Sequence, residues 1–130
     1  MFFDVTEINL VPHKFYRGWI VNHRIYNEKL YIEVEFEECR NTFFLKVLPI
    51  STSPQSDFVV LAEKLRLFTE EGRIETDYLN DKAVLANLRR GTDNRLYVNQ
   101  IKLNELFYAT QDDDEDEEDE DYIYIDGEEE

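Results

Sequence analysis

Leu30, Ile32, Val34 and Phe36 alternate with Tyr31, Glu33, Glu35 and Glu37. Successive side chains of a strand point to opposite faces, so this period of two predicts a half-buried strand from Leu30 to Phe36. The preceding run, Phe15 to Tyr26, is rich in aromatic and β-branched residues with Gly18 in its interior, and Asn27-Glu28-Lys29 supplies a polar turn that would fold it onto the second strand. Beyond, Cys39-Arg40-Asn41 separates a third run, Thr42 to Leu48, which Pro49 and Pro54 end. Three consecutive strands predict a meander.

The period then changes. Phe58, Leu61, Ala62, Leu65 and Phe68 recur at spacings of three and four, Ser56 or Asp57 can cap the start, and Gly72 stands where a left-handed C-terminal residue is wanted. The pattern predicts a helix of about four turns, with Asp57 near its N-terminus and Lys64 and Arg66 further along, as the helix dipole prefers. A polar connection, Arg73 to Lys82, leads to two further strands, Ala83 to Arg90 and Arg95 to Leu103, joined by the turn Gly91-Thr92-Asp93-Asn94. Met1 to Pro12 would add an edge strand or a short cap.

The order β-β-β-α-β-β is that of the oligonucleotide-binding (OB) Greek-key barrel. The expected fold class is therefore mainly β: a five-stranded OB-fold-like barrel with one α-helix between strands 3 and 4. A small mixed α+β sheet is the alternative, because element order alone does not fix strand pairing.

Charge alters this picture once it is split by position. The chain has 130 residues and a formal charge of -16, but residues 111–130 hold 14 of the 30 carboxylates and none of the 14 Lys and Arg. Residues 1–110 are left with 16 acids against 14 bases, so the low overall charge does not exclude an anion-binding body. A block this acidic cannot bury enough apolar surface to offset its ordering entropy, which makes residues 1–110 the expected domain and residues 111–130 an expected disordered tail. Cys39 is alone, the Met-start segment is acidic where a signal peptide would be basic, and no apolar run approaches the roughly 18 residues of a membrane span. A soluble cytoplasmic protein without membrane partners is expected.

Arg17-Gly18-Trp19-Ile20-Val21, Leu30-Tyr31-Ile32-Glu33-Val34-Glu35-Phe36, Leu79-Asn80-Asp81-Lys82-Ala83-Val84, Arg95-Leu96-Tyr97-Val98-Asn99 and the acidic C-terminus together carry a further signal. In these segments the chain resembles single-stranded-DNA-binding proteins of phages and mobile elements. Bacterial members carry a Gly/Gln/Pro-rich linker and an acidic tip with a terminal aromatic. Here acids begin directly after Gln111 and the chain ends in Glu128-Glu129-Glu130, an arrangement more like a phage-type protein. The resemblance implies a groove that holds single-stranded DNA, and a tail that occupies the groove when DNA is absent and recruits replication or recombination proteins otherwise.

The residue chemistry can be read independently. Sequence-tolerant binding of single strands needs aromatic faces for bases and cations for phosphates. Candidates on the predicted strands and turns are Lys14, Tyr16, Arg17, Trp19, Arg24, Tyr31, Phe44, Lys46, Arg89, Arg90, Arg95 and Tyr97. The bland reading places any one strand aromatic in the core and any one Arg on a solvated surface. Arg89, Arg90 and Arg95 are the best local cluster, because one hairpin brings them together. Against this stand Glu33, Glu35 and Glu37, which share a face with Tyr31 and would repel phosphates. With the acidic tail, they support a rival reading in which these carboxylates and the tail mimic DNA and inhibit a host nucleic-acid-binding protein. Within the tail, Tyr122-Ile123-Tyr124-Ile125 is an apolar island that reads either as a partner-docking strand or as a segment packing on the protein's own edge. Self-association is left open.

Other chemistries find no footing. His13, His23 and Cys39 have no zinc-ligand spacing, Asp112 to Asp121 lacks the Gly and ligand spacing of a calcium loop, and there is no Gly-rich phosphate loop or nucleophile elbow. A non-enzymatic protein without a cofactor is expected.

Overall fold

The computed structural model describes residues 1–2 and 8–109. Five strands, β1 (Tyr16–Tyr26), β2 (Lys29–Phe36), β3 (Cys39–Pro49), β4 (Ala83–Arg90) and β5 (Leu96–Leu103), form one antiparallel sheet, with a single helix α1 (Asp57–Lys64) between β3 and β4. A short 3-10 turn, Thr76–Leu79, precedes β4, and residues 105–109 are helical. The hydrogen-bonded order is β3-β2-β1-β4-β5, so β3 and β5 are the two edges. The sheet curls until these edges meet, with the Lys46 ammonium on β3 donating to the Asn99 carbonyl on β5 at 2.6 Å. The result is mainly β and barrel-like, as the residue pattern predicts.

Local chemistry explains each boundary. The first turn is tighter than expected: only Asn27 and Glu28 lie in it, with φ of 55° and 63°, and Lys29 already pairs with Tyr26. Two consecutive left-handed residues match the twist of a two-residue hairpin. At the second turn Glu37 and Glu38 reverse the chain, and the predicted separator Cys39-Arg40-Asn41 instead begins β3. The register jumps from Glu35↔Phe43 to Phe36↔Cys39, leaving Arg40 to Thr42 as a bulge. Gly18 permits the close approach of β1 and β2, since a Cβ there would run into the Glu35 carbonyl oxygen and lie 3.1 Å from the Phe36 ring.

The helix is shorter than its periodic pattern. Ser56 caps it by accepting from the Val59 amide at 3.2 Å. It stops at Leu65 because Arg66 turns left-handed (φ 59°), and the amides of Arg66 and Leu67 bond back to the carbonyls of Glu63 and Ala62. That is a Schellman ending with Arg, not Gly72, at the left-handed position. Gly72 (φ 81°) shapes a later turn that pairs Phe68 with Ile74. Phe58, Leu61, Leu65 and Leu67 fill the core against Ile32, Val34, Phe36 and Leu88. Each such burial is worth about 1.5–3 kcal/mol. No strand forms among residues 8–14, although Leu10 is buried and the His13 amide donates to the Leu88 carbonyl at 2.9 Å. Residues 3–7 of the predicted N-terminal segment, and the acidic tail, lie outside the described residues.

Candidate functional site

Between the meeting edges lies an open groove of about 800 Å³. Its walls are Leu45 to Pro49 of β3 and Tyr97 to Ile101 of β5; α1 contributes Asp57, Val60, Leu61 and Lys64, and the β4–β5 hairpin contributes Arg89, Gly91, Thr92 and Asp93. Three cations, Lys46, Lys64 and Arg89, therefore face one space with Asp57 and Asp93. None of the three forms an ion pair among the described residues.

Lys46 is set by register. It pairs with buried Ile32 and so points to the core side of β3, where its ammonium is half-buried and has a neutral carbonyl as its hydrogen-bond partner. Burial pushes its pKa below the ordinary lysine value; Arg89 and Lys64 push the same way and Asp57 opposes them. An ammonium has three donors, and burial of a charge without a counter-charge is costly. Among the described residues, Lys46 thus has Asp57 across the groove but no ion-pair partner within reach.

The hairpin holds an aromatic wall beside it. Tyr97 is paired with Arg89 across β4 and β5, and its hydroxyl donates to the Asp93 carboxylate at 2.5 Å. Asp93 also accepts from the Arg95 amide at 3.1 Å, and the Arg90 guanidinium donates to the Asn94 carbonyl at 3.0 Å. The Tyr97 bond holds the Asp93 carboxyl below its ordinary range and, reciprocally, raises the Tyr97 phenol. A Cβ on Gly91 would come within 2.7 Å of the Tyr97 ring, so glycine lets the ring lie against the turn.

The outer face of β1, β2 and β3 leads into this groove. Register places Arg24, Tyr31 and Val47 in one row, the Arg24 guanidinium stacking 4.8 Å from the Tyr31 ring centre, and Val47 is itself a groove residue. A second row holds Trp19, Glu35 and Phe43. Here Arg40 covers the Trp19 ring at 4.8 Å and reaches Glu35 at 3.4 Å, while the Asn41 amide donates to Glu35 at 2.6 Å. Glu37 pairs with Arg17 at 3.1 Å. Two of the three carboxylates expected to repel phosphates are thus matched by cations, and Glu33 remains half-buried between Asn22 and Leu45.

Of the predicted nucleic-acid residues, the groove gathers Lys46, Arg89 and Tyr97, and the row beside it holds Arg24 and Tyr31. Trp19 and Arg17 lie on the same outer face but are engaged by Arg40 and Glu37. Arg90 and Arg95 are exposed on the hairpin without lining the groove, and Lys14 sits 5.3 Å over the Tyr16 ring. Tyr16 and Phe44 require correction. Both are core residues packed against Phe36, with the Tyr16 hydroxyl accepting from the Val11 amide, because their strand positions alternate to the inner face. Sequence reasoning missed Lys64 as a groove cation and read it only as a dipole partner; its place one turn after Val60 and Leu61 was the available signal. Tyr122, Ile123, Tyr124 and Ile125 lie outside the described residues. Among the described residues, no His, Cys, Asp and Glu group is arranged to hold a metal, and no helix is long and apolar enough to cross a membrane.

Comparisons with family models, curated proteins and solved structures return no match to this chain.

Proposed function

We propose that this chain is an OB barrel that binds single-stranded nucleic acid, with DNA as the polymer and the acidic C-terminal segment as an intramolecular competitor. The observation that carries the reading is the continuous path from Arg24 stacked on Tyr31, across Val47, to Lys46, Arg89 and Tyr97. It supplies aromatic faces and, among the described residues, cations without an ion pair in one line, the two needs of sequence-tolerant strand binding. The barrel assignment is supported by the sheet order with its β3 and β5 edges in contact and the helix between β3 and β4. In such barrels the β2–β3 face and the β4–β5 loop form the strand-binding side.

The resemblance of the chain to phage and mobile-element proteins extends this proposal to replication or recombination, with residues 111–130 recruiting the partner proteins. A tethered segment carrying 14 carboxylates has a high effective concentration at the groove, where it competes with phosphates. The pairing of Glu35 and Glu37 with Arg40 and Arg17 leaves Glu33 and the acidic segment as the charge a DNA-mimic reading would use, and so favours strand binding.

The test is anisotropy titration of labelled oligo-dT at two salt concentrations with the full chain and with residues 111–130 deleted. Binding should weaken steeply with salt, strengthen on deletion, and fall about tenfold in Arg89→Ala, the order of one charge-assisted contact. Arg17→Ala, which removes a cation already paired, should change it far less. Absence of binding by both forms at low salt ends the proposal.

A further inference from the structure

We infer that Tyr122-Ile123-Tyr124-Ile125 adds to the free edge of β3 as a sixth strand, seated in the open seam of its own barrel. The site stands on the backbone edge and apolar lining of the groove and needs no nucleic acid. Where the strand-binding reading also holds, strand addition is how the competing segment is seated, because it covers Val47, over which the nucleic-acid path runs.

The seam leaves backbone open on both sides. Among the described residues β3 pairs with β2 alone and β5 with β4 alone, and no backbone bond joins residues 45–49 to residues 97–101. An open edge is a template for a further strand, and proteins usually cover theirs. Of the two, β3 is the freer, since the Asn99 carbonyl of β5 already accepts from Lys46. The lining also suits a peptide: Val47 of β3 and Val60 of α1 both face the groove and remain 40% and 38% exposed. Strand addition joins main-chain hydrogen bonds at an edge to pockets for alternate side chains.

Sequence and tether select the occupant. After Ala109 the only apolar side chains are those of Tyr122, Ile123, Tyr124 and Ile125. In a strand both isoleucines share one face and both tyrosines the other. The isoleucines cover Val47 and Val60, and the tyrosines keep their hydroxyls in water. Tyr122 lies 13 residues beyond Ala109, a tether that spans up to about 43 Å. The distance back along β5 from Leu103 to Tyr97 is about 20 Å, so the segment reaches the seam of its own molecule. Charge acts at the ends of the segment. Asp112 to Asp121 precede it and Asp126 follows, while in the groove Lys46, Lys64 and Arg89 exceed Asp57 and Asp93 by one charge. That excess steers the acids inward without holding them, and the apolar island supplies the hold.

The experiment is amide hydrogen exchange by NMR on the full chain without nucleic acid, compared with Ile123→Ser combined with Ile125→Ser. The double variant keeps all 14 carboxylates of residues 111–130. Edge-facing amides among Leu45 to Leu48 should exchange about tenfold faster in the variant, as for an edge covered in most molecules of the parent. Ile32 and Val34, inside the β2 ladder, should exchange at the parent rate. The difference should persist in about 1 M salt, where a Debye length of about 3 Å leaves little attraction between acids and groove. Equal exchange at the β3 edge in parent and variant overturns the added strand. So does a difference that vanishes in salt, which assigns the contact to the acids, or one that grows with protein concentration, which assigns it to a neighbouring copy. Equal acceleration of Ile32 and Val34 overturns it too, since the island would then support the whole fold and not one edge. A protected edge in a chain that binds no oligo-dT keeps the sixth strand and ends the strand-binding reading alone.

Discussion

The outer face of β1 and β2 and the groove between β3 and β5 carry the same kinds of residues in opposite states. On the face, Arg17 meets Glu37, and Arg40 meets both Trp19 and Glu35. In the groove, Lys46, Lys64 and Arg89 have no ion-pair partner among the described residues. The difference arises from strand pairing. The β1–β2 pairing brings Trp19 beside Glu35 and Arg17 within reach of Glu37, whereas Lys46 stands on an edge strand whose neighbour across the seam, β5, offers it a backbone carbonyl. Chemistry for a ligand is left over where the sheet does not finish pairing.

The largest test breaks the face and leaves the groove. Gly18→Ala places a methyl group against the Glu35 carbonyl and the Phe36 ring, both held by the β2 ladder, and so cannot be absorbed by a flexible side chain. It should cost about 2 kcal/mol, within the range for overpacking a close-packed site. Urea midpoints measure it, and oligonucleotide affinity per folded molecule should stay near that of the parent. A loss of stability below about 0.5 kcal/mol would show that the two strands can part without cost.

Lys46→Met sharpens the contrast, because stability and affinity should move in opposite directions. Replacing a half-buried ammonium by an apolar side chain of similar length is expected to leave the chain equal in stability or up to about 1 kcal/mol more stable, while affinity for oligo-dT falls. Since the folded chain lowers the Lys46 pKa, its charge opposes folding in full below the folded-state value. The penalty fades as pH rises through that value toward 10.5, so the stability gap between parent and Lys46→Met narrows on the alkaline side. A gap that widens there would reverse the assignment.

How much of this was legible before the fold was known varies with the range of the interaction. The alternation in β2, the bounds of β4 and the Gly91–Asn94 turn follow from local pattern, and the structure places them as read. The helix end did not, because Leu65, Leu67 and Phe68 continue an apolar pattern through a Schellman ending. Arg66 accepts a left-handed backbone there in exchange for burying Leu67 beside Ala62. The candidate site was half legible for a similar reason. Period-two reasoning identifies the two faces of a strand, but which face of β3 meets β5 depends on closure of the sheet. Phe44 and Lys46 were both candidates; they share the inner face, and only Lys46 lies near enough to the seam to reach out of the core.

The smallest effect concerns the rigidity of the aromatic wall, and it is read from titration. In the parent the Tyr97 phenol should titrate above the ordinary value of 10.0, because its proton is held by the Asp93 carboxylate. That bond contributes below the ordinary phenol pKa and is lost as pH rises through the raised one. Asp93 contributes above its ordinary 3.8 and loses its contribution as pH falls through its lowered value. Asp93→Asn should lower the Tyr97 titration back toward the ordinary value of 10.0. Both groups lie at the open rim, so global stability should hardly move, which separates a loosened ring from a loosened fold. Affinity in Asp93→Asn then weighs two opposing consequences, a freer ring and one fewer repelling charge. If ring placement dominates, binding weakens at every salt concentration; if charge dominates, it strengthens at low salt alone. A Tyr97 that titrates at the ordinary value of 10.0 in the parent would mean that the hydroxyl is not held, and the groove would keep its cations but lose its fixed stacking wall.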